Sequence, residues 1–215
     1  MLQQLLEELT PSGAKLVAVS KTQSVEAIEA LYRQGQRRFG ENRPRELEEK
    51  HKLLPADIEW HFIGHLQSGN VKYIAPFVHM IHSVDSLSLL VEINRQAAKY
   101  DRVIPCLLQF KIAKEASKYG LDLTAAEALL RSDAFLQMKH IRIVGVMGMA
   151  TYTDDVDLVR AEFRQLRQYF EALKMVFFAE DATFCEVSMG MSGDYKIAIE
   201  EGSTMVRIGS LLFGG

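Results

Sequence analysis

Short, nearly continuous apolar runs recur along the 215-residue chain, and stretches with helical spacing separate them. The runs at 16–20, 37–41, 59–63, 80–84, 103–110, 141–150, 183–187 and 204–208 read as β-strands. Helical patterns lie between them at 25–34, 45–52, 70–75, 87–100, 124–131, 156–173 and 195–200. Runs such as Leu16-Val17-Ala18-Val19 and Ile141-Arg142-Ile143-Val144-Gly145-Val146 show little alternation, as strands buried on both faces do. Ser24 ahead of Ala27-Ile28, and Thr124 ahead of Ala125-Ala126-Glu127, are the expected N-caps, with Glu127 completing a capping box. Gly35 is placed to end the 25–34 helix.

Regular alternation of strand and helix predicts a parallel sheet. An open doubly wound sheet and a closed (β/α)8 TIM barrel both satisfy it, and the count of eight strands favours the barrel. The sequence runs only five residues past Ser210, which leaves no helix after the last strand. The amphipathic stretch at 2–9 is the expected cover for that gap. No Pro-, Gly- or Ser-rich linker interrupts the pattern, so one domain over 1–215 is expected.

Composition adds constraints. Hydrophobic residues make up 48% of the chain, ample for one core of this size. A net charge of −3 gives no electrostatic reason to expect a nucleic-acid partner. No run of 18 apolar residues predicts a membrane span, and the first residues lack the basic start of a signal peptide, so a cytoplasmic location is expected. Cys106 and Cys185 lie in apolar runs and read as buried, reduced thiols.

In a barrel the C-terminal ends of the strands share one mouth. Here those ends carry Lys21, Glu41, Asn42, Gly64, His65, Ser83, Asp85, Lys111, Met147, Met149, Ser188, Ser192, Arg207, Gly209 and Ser210. Such a polar set on apolar strands suggests a site, although loop starts are polar in any protein. A lysine at such a rim, partly desolvated, is a candidate Schiff-base nucleophile, against the plainer reading of a solvated loop lysine. Barrel phosphate sites are often built from the loops after strands seven and eight. Ser192, Gly193, Gly209 and Ser210 stand on those two loops, with tight turns as the alternative. A metal centre has little support from spacing. His61 and His65 are interrupted by Gly64, and His79 and His82 have no Cys or carboxylate at ligand spacing.

The ordered segments Ala18-Val19-Ser20-Lys21-Thr22, Phe39-Gly40-Glu41-Asn42, Trp60-His61-Phe62-Ile63-Gly64-His65-Leu66-Gln67, His82-Ser83-Val84-Asp85, Gly145-Val146-Met147-Gly148-Met149, Ser188-Met189-Gly190-Met191-Ser192 and Val206-Arg207-Ile208-Gly209 span essentially the whole chain. Together they resemble the pyridoxal phosphate homeostasis proteins, the single-domain relatives of the alanine racemase barrel domain. The resemblance implies an alanine racemase-like barrel that carries pyridoxal 5′-phosphate as an internal aldimine on Lys21. It implies that Arg207 faces the pyridine nitrogen, that Ser192, Gly209 and Ser210 hold the phosphate, and that Asn42 lies beside the cofactor. Met147 and Met149 pack either near the ring or in the core. The chain departs from the family pattern at Ser68-Gly69-Asn70, where an Asn-Lys pair is usual, and at Lys111, where asparagine is more usual.

An arginine opposite the ring nitrogen keeps that nitrogen unprotonated, so the ring is a poor electron sink. The resemblance therefore implies a protein that keeps free pyridoxal phosphate in balance, and supplies apoenzymes that require it, without efficient turnover of its own. A monomer is the expected form. Two alternatives stand beside this. One is a racemase or weak lyase, with Tyr152, His65 or Lys111 as the second acid–base group. The other is a phosphate-binding barrel whose lysine takes a sugar aldehyde. The charged segment 45–52 reads as a solvated helix face.

Overall fold

The structure, a computed structural model, describes residues 1–114 and 119–214. Strands β1 (Lys15–Val19), β2 (Arg38–Glu41), β3 (Glu59–Phe62), β4 (Met80–Val84), β5 (Ile104–Gln109), β6 (Ile141–Met147), β7 (Glu186–Ser188) and β8 (Met205–Ile208) pair in parallel and in sequence order. The barrel closes where β8 meets β1, with Val17 opposite Arg207 and Ala18 opposite Ile208.

Period-two geometry sends each strand's side chains alternately to two cores. Val17, Met80, Leu107, Val144, Met147 and Met205 point inward and fill the barrel. Their neighbours Leu16, Ala18, Ile81, Cys106, Leu108, Val206 and Ile208 face outward into the larger apolar shell under the helices. Both faces are therefore buried, which explains the unbroken apolar runs.

Around the barrel lie α1 (Leu2–Leu9), α2 (Val25–Arg33), α3 (Pro44–Leu53), α4 (Val71–Ile74), α5 (Leu87–Ala98), α6 (Leu123–Arg131), α7 (Asp133–Leu136), α8 (Val156–Phe177), α9 (Tyr195–Glu200) and α10 (Ser210–Phe213). In α8, Val159, Phe163, Leu166, Phe170 and Leu173 are buried at alternating spacings of four and three, the stripe a surface helix lays on its core. α1 buries Leu2, Leu5 and Leu9, and its Glu8 accepts a hydrogen bond from Tyr195 Oη of α9 at 2.7 Å. The first helix thus packs beside the elements that flank the β8–β1 seam, as expected, but the seam is not without a helix after β8: the short α10 forms there, a correction to the expectation of none.

Local signals sort into kept and overturned. Ser24 caps α2 through Ala27 N–H at 3.3 Å. At the other end of α2, Gly35 has φ +99° while its N–H reaches Tyr32 O and that of Gln36 reaches Leu31 O, a Schellman motif. Thr124 is not a cap. Asp122 caps α6 by accepting Ala125 N–H at 2.7 Å, so the helix starts one residue earlier and the 124–127 capping box does not form. The strand expected at 183–187 begins only at Glu186. Asp181 Oδ1 accepts both the N–H and the hydroxyl of Thr183, and this turn overrides the β-branched preference. Cys185 consequently lies outside the strand and is exposed, a correction to the expected pair of buried thiols. Cys106 is buried, and burial pushes its thiol pKa well up. Among the described residues no helix is long and apolar enough to cross a membrane.

Candidate cofactor site at the barrel mouth

Lys21 follows β1 by two positions, at the end where the β-to-α loops leave the barrel. Its side chain is exposed, so the protein alone does not supply the partial desolvation expected of a rim lysine. Its backbone is held tightly instead. Thr22, the next residue, has φ +64°, a left-handed conformation uncommon for threonine. Glu46 Oε1 on α3 accepts Thr22 N–H at 2.9 Å. On the other side, Lys50 Nζ of α3 donates to Ser20 O at 2.8 Å. The same ammonium donates to Glu41 Oε1 at 2.8 Å and Glu46 Oε1 at 2.7 Å, and Ser20 Oγ donates to Glu41 at 2.6 Å. Lys50 is buried, which corrects the reading of 45–52 as a solvated face: one member of that charged run turns inward. Burial raises the Glu41 carboxyl pKa against the opposing pull of Lys50 and Ser20.

Arg207 shares its inward parity with Met205 and lies inside the barrel, 4% exposed. Its Nη1 donates to Ser188 Oγ at 2.6 Å and its Nη2 to Gly148 O at 3.0 Å. No carboxylate hydrogen-bonds it among the described residues. Burial lowers its pKa to about 10, with the nearby Asp194 charge opposing. Ser188 Oγ shares a hydrogen bond with His82 Nδ1 at 3.0 Å, and His82 Nε2 shares one with His61 Nδ1 at 2.8 Å. Burial holds both imidazoles well below their ordinary pKa. A polar chain thus runs from Arg207 down the barrel interior.

The loops after β7 and β8, on which the sequence places Ser192, Gly193, Gly209 and Ser210, meet. Gly209 N–H reaches Ser192 Oγ at 3.4 Å, and a Cβ on Gly209 would crowd Val19 at the end of β1. Ser192, Gly209 and the exit of β1 toward Lys21 are therefore contiguous. Ser210 is exposed at the start of α10, on the same rim. Asp194 shapes the serine loop by accepting Met191 N–H at 2.6 Å. Gly193 has open space where a Cβ would point. Asn42 lies past β2, and the exit of β3 packs so closely there that a Cβ on Gly64 would overlap the Asn42 backbone. Asn42 Oδ1 and Ser83 Oγ are buried with no hydrogen-bond partner among the described residues.

The other rim residues divide. Met147 is buried in the barrel interior, whereas Met149 is 40% exposed beside Tyr152 in a cleft of about 270 Å³. His65 stacks on Tyr119 at 3.7 Å and lies 3.5 Å from Asp85. Lys111 is exposed, and Tyr152 is 96% exposed. At the opposite end of the barrel, Glu59, His61 and His79 bring ligand-type atoms within 4.8 Å of one another. Strand register creates this group, which linear spacing did not reveal. Glu59 is already paired with Arg38 at 2.9 Å, and Arg38, Lys15 and Arg102 all act on His79 as positive charges. The group is a polar barrel floor with little to attract a cation.

Sequence reasoning missed Lys50, Glu46, Asp194 and the linkage of Ser188 to Arg207. His82 and Ser188 were visible within motifs, but only the fold joins them. Nothing in the run at 45–52 distinguishes Lys50 from its solvated neighbours.

The family model of the alanine racemase N-terminal domain matches residues 2–215. The pyridoxal phosphate homeostasis protein of Aquifex aeolicus is 38% identical over 202 residues, which cover 94% of this chain and 86% of that protein. Its counterpart in Pasteurella multocida is 38% identical over 208 residues, covering 94% and 87%. PipY of Synechococcus elongatus, solved with PLP bound, superposes with a TM-score of 0.88 at 35% identity, covering 99% of this chain and 98% of PipY. The Bartonella henselae alanine racemase shares the fold at a TM-score of 0.70 and 19% identity, with 57% of its length covered. The chain belongs to the alanine racemase N-terminal domain family, among its pyridoxal phosphate homeostasis proteins.

Proposed function

We propose that this protein binds pyridoxal 5′-phosphate at the barrel mouth and serves the intracellular balance of that cofactor. The observation that carries the reading is a buried guanidinium, Arg207, beneath a rim that joins Lys21 to the Ser192–Gly209 contact. The residues fit the group. Arg207 has five N–H donors, and its two hydrogen bonds leave the others for an acceptor such as a pyridine nitrogen. Asn42, just past the end of β2, and Ser83, near the end of β4, each carry a buried side-chain oxygen with no hydrogen-bond partner among the described residues. Ser192, Gly209 and Ser210 offer hydroxyls and backbone N–H groups to a phosphate. The PipY structure, solved with PLP bound, supports the choice of cofactor.

In this reading Lys21 would hold the group through its amine, a nucleophile toward a carbonyl carbon. The group would supply an aldehyde and a ring able to accept electrons. Arg207 remains a guanidinium at neutral pH, since even after burial its pKa is about 10. As a guanidinium it would be a donor toward the ring nitrogen and would keep its own proton. That favours holding the cofactor over stabilising carbanions. We assign the protein a carrier role without efficient turnover, with cofactor-requiring apoenzymes as recipients, a monomer as its working form and the cytoplasm as its location.

The test is the visible spectrum of the purified protein with added cofactor, before and after borohydride. A yellow band that borohydride bleaches, leaving label on Lys21, is expected, and Lys21→Ala should lack it. An unchanged band in Lys21→Ala would overturn the assignment. Rapid Cα–H exchange of L-amino acids in deuterium oxide would instead identify an enzyme.

A further inference from the structure

The α3 helix grips the chain on both sides of Lys21. Lys50 has three N–H donors, and all three are used: on Ser20 O, Glu41 Oε1 and Glu46 Oε1, at 2.8, 2.8 and 2.7 Å. The first of these fixes the peptide unit just before Lys21. Glu46, held by Lys50, accepts Thr22 N–H and so fixes the peptide unit just after it. Thr22 Oγ adds a hydrogen bond to Lys21 O at 2.6 Å.

Two features argue that this grip does more than fill space. Thr22 is held at φ +64°, a conformation that costs free energy and persists only where surroundings over-determine it. A buried lysine between two carboxylates is also a costly way to brace a helix, since apolar packing would serve stability as well. The hydrogen bonds converge on one residue whose own side chain is exposed and has no brace from burial. Fixing both flanking peptides fixes the direction in which the Lys21 Cα–Cβ bond leaves the backbone.

We propose that Lys50 and Glu46 are positioning residues that aim Lys21 at the barrel mouth for its reaction with the cofactor aldehyde. This rests on the assignment of Lys21 above. Neither residue is placed in contact with the cofactor. Their contribution is orientation, which accelerates a condensation by keeping the amine near its attack geometry.

The experiment compares wild type with Glu46→Ala, Glu46→Gln, Lys50→Met and the exposed control Lys52→Met. Each protein is stripped of cofactor and mixed with pyridoxal 5′-phosphate. The rate of growth of the borohydride-reducible band and its circular dichroism are followed, and Tm is recorded. Glu46→Ala should slow band formation about fivefold or more and weaken the dichroism. Glu46→Gln, which keeps a carbonyl acceptor for Thr22 N–H, should recover most of the rate. Lys52→Met should match wild type. Lys50→Met leaves Glu41 buried without its ion pair, so if it fails to fold, Glu46→Ala decides. Wild-type rate and dichroism in Glu46→Ala would overturn the proposal while leaving Lys21 as the attachment site. Absence of any Lys21-dependent band in wild type would overturn both.

Discussion

Arg207 Nη1 lies 2.6 Å from Ser188 Oγ, deep in the barrel and one strand away from it. This neutral partner, where a carboxylate could have stood, leaves the guanidinium charge uncompensated by any direct ion pair among the described residues. The site therefore presents a donor with a fixed positive charge to whatever occupies the mouth. Replacing Arg207 with Met should remove that donor while keeping apolar bulk. Cofactor affinity should fall about tenfold or more, the scale of a lost hydrogen bond to a charged group. Stability should change little, since a buried charge is exchanged for packing. Equilibrium titration of the visible band, with a urea melt alongside, checks both halves.

Lys21→Ala should separate function from stability. The side chain is exposed, and surface substitutions usually stay within about 0.5 kcal/mol. Denaturant unfolding of the cofactor-free protein should be almost unchanged, while borohydride labelling is lost.

Ser192→Ala should discriminate between ligands with and without a phosphate. Affinity for pyridoxal 5′-phosphate should drop by roughly threefold to tenfold, as expected for one hydrogen bond. Affinity for pyridoxal, which has no phosphate, should not move. Equal loss for both would remove Ser192 from the phosphate site.

Acid should destabilise the cofactor-free protein. His61 and His82 are buried and neutral, with pKa held well below 6.5 by burial. In the unfolded chain they bind protons at their ordinary pKa, so the unfolded state takes up more protons once pH drops below about 6.5. Stability from this pair is complete above that pH and falls progressively beneath it. Thermal melts from pH 7.5 to 5 should show Tm declining, and a flat profile would contradict the neutral pair.

Gly145→Ala should be severe, and Gly193→Ala mild. Gly145 has φ +156°, and a Cβ there would collide with the Glu186 carbonyl across the β6–β7 pairing. Destabilisation of about 3 kcal/mol or more is expected from such strain. Gly193 meets nothing within 4 Å, so its alanine variant should melt as wild type does.

The barrel was legible because both faces of its strands are buried, so Leu16 to Val19 and Ile141 to Val146 announce themselves by apolar continuity. That Lys21, Ser192 and Arg207 lie toward one end of the barrel was readable because the C-terminal ends of barrel strands share one mouth. What escaped depends on side-chain direction or on register. Lys50 reads like its charged neighbours until α3 is rotated against β2. Thr183 reads as strand until Asp181 captures its N–H. Glu59 and His79 stand 20 positions apart and meet only through the β3–β4 pairing.

The polar chain inside the barrel also has a sense of direction. Arg207 can only donate to Ser188, and each neutral imidazole carries one hydrogen. If the Ser188 hydroxyl points its hydrogen at His82 Nδ1, then His82 must carry its own on Nε2 and give it to His61, whose hydrogen then sits on Nε2 near the floor. If Ser188 accepts instead, both rings carry theirs on Nδ1. The two histidines cannot choose separately, so their hydrogens are ordered as a single row, like a line of dominoes with one end at the arginine. A nitrogen NMR spectrum of the two side chains should show both imidazoles in the same tautomer.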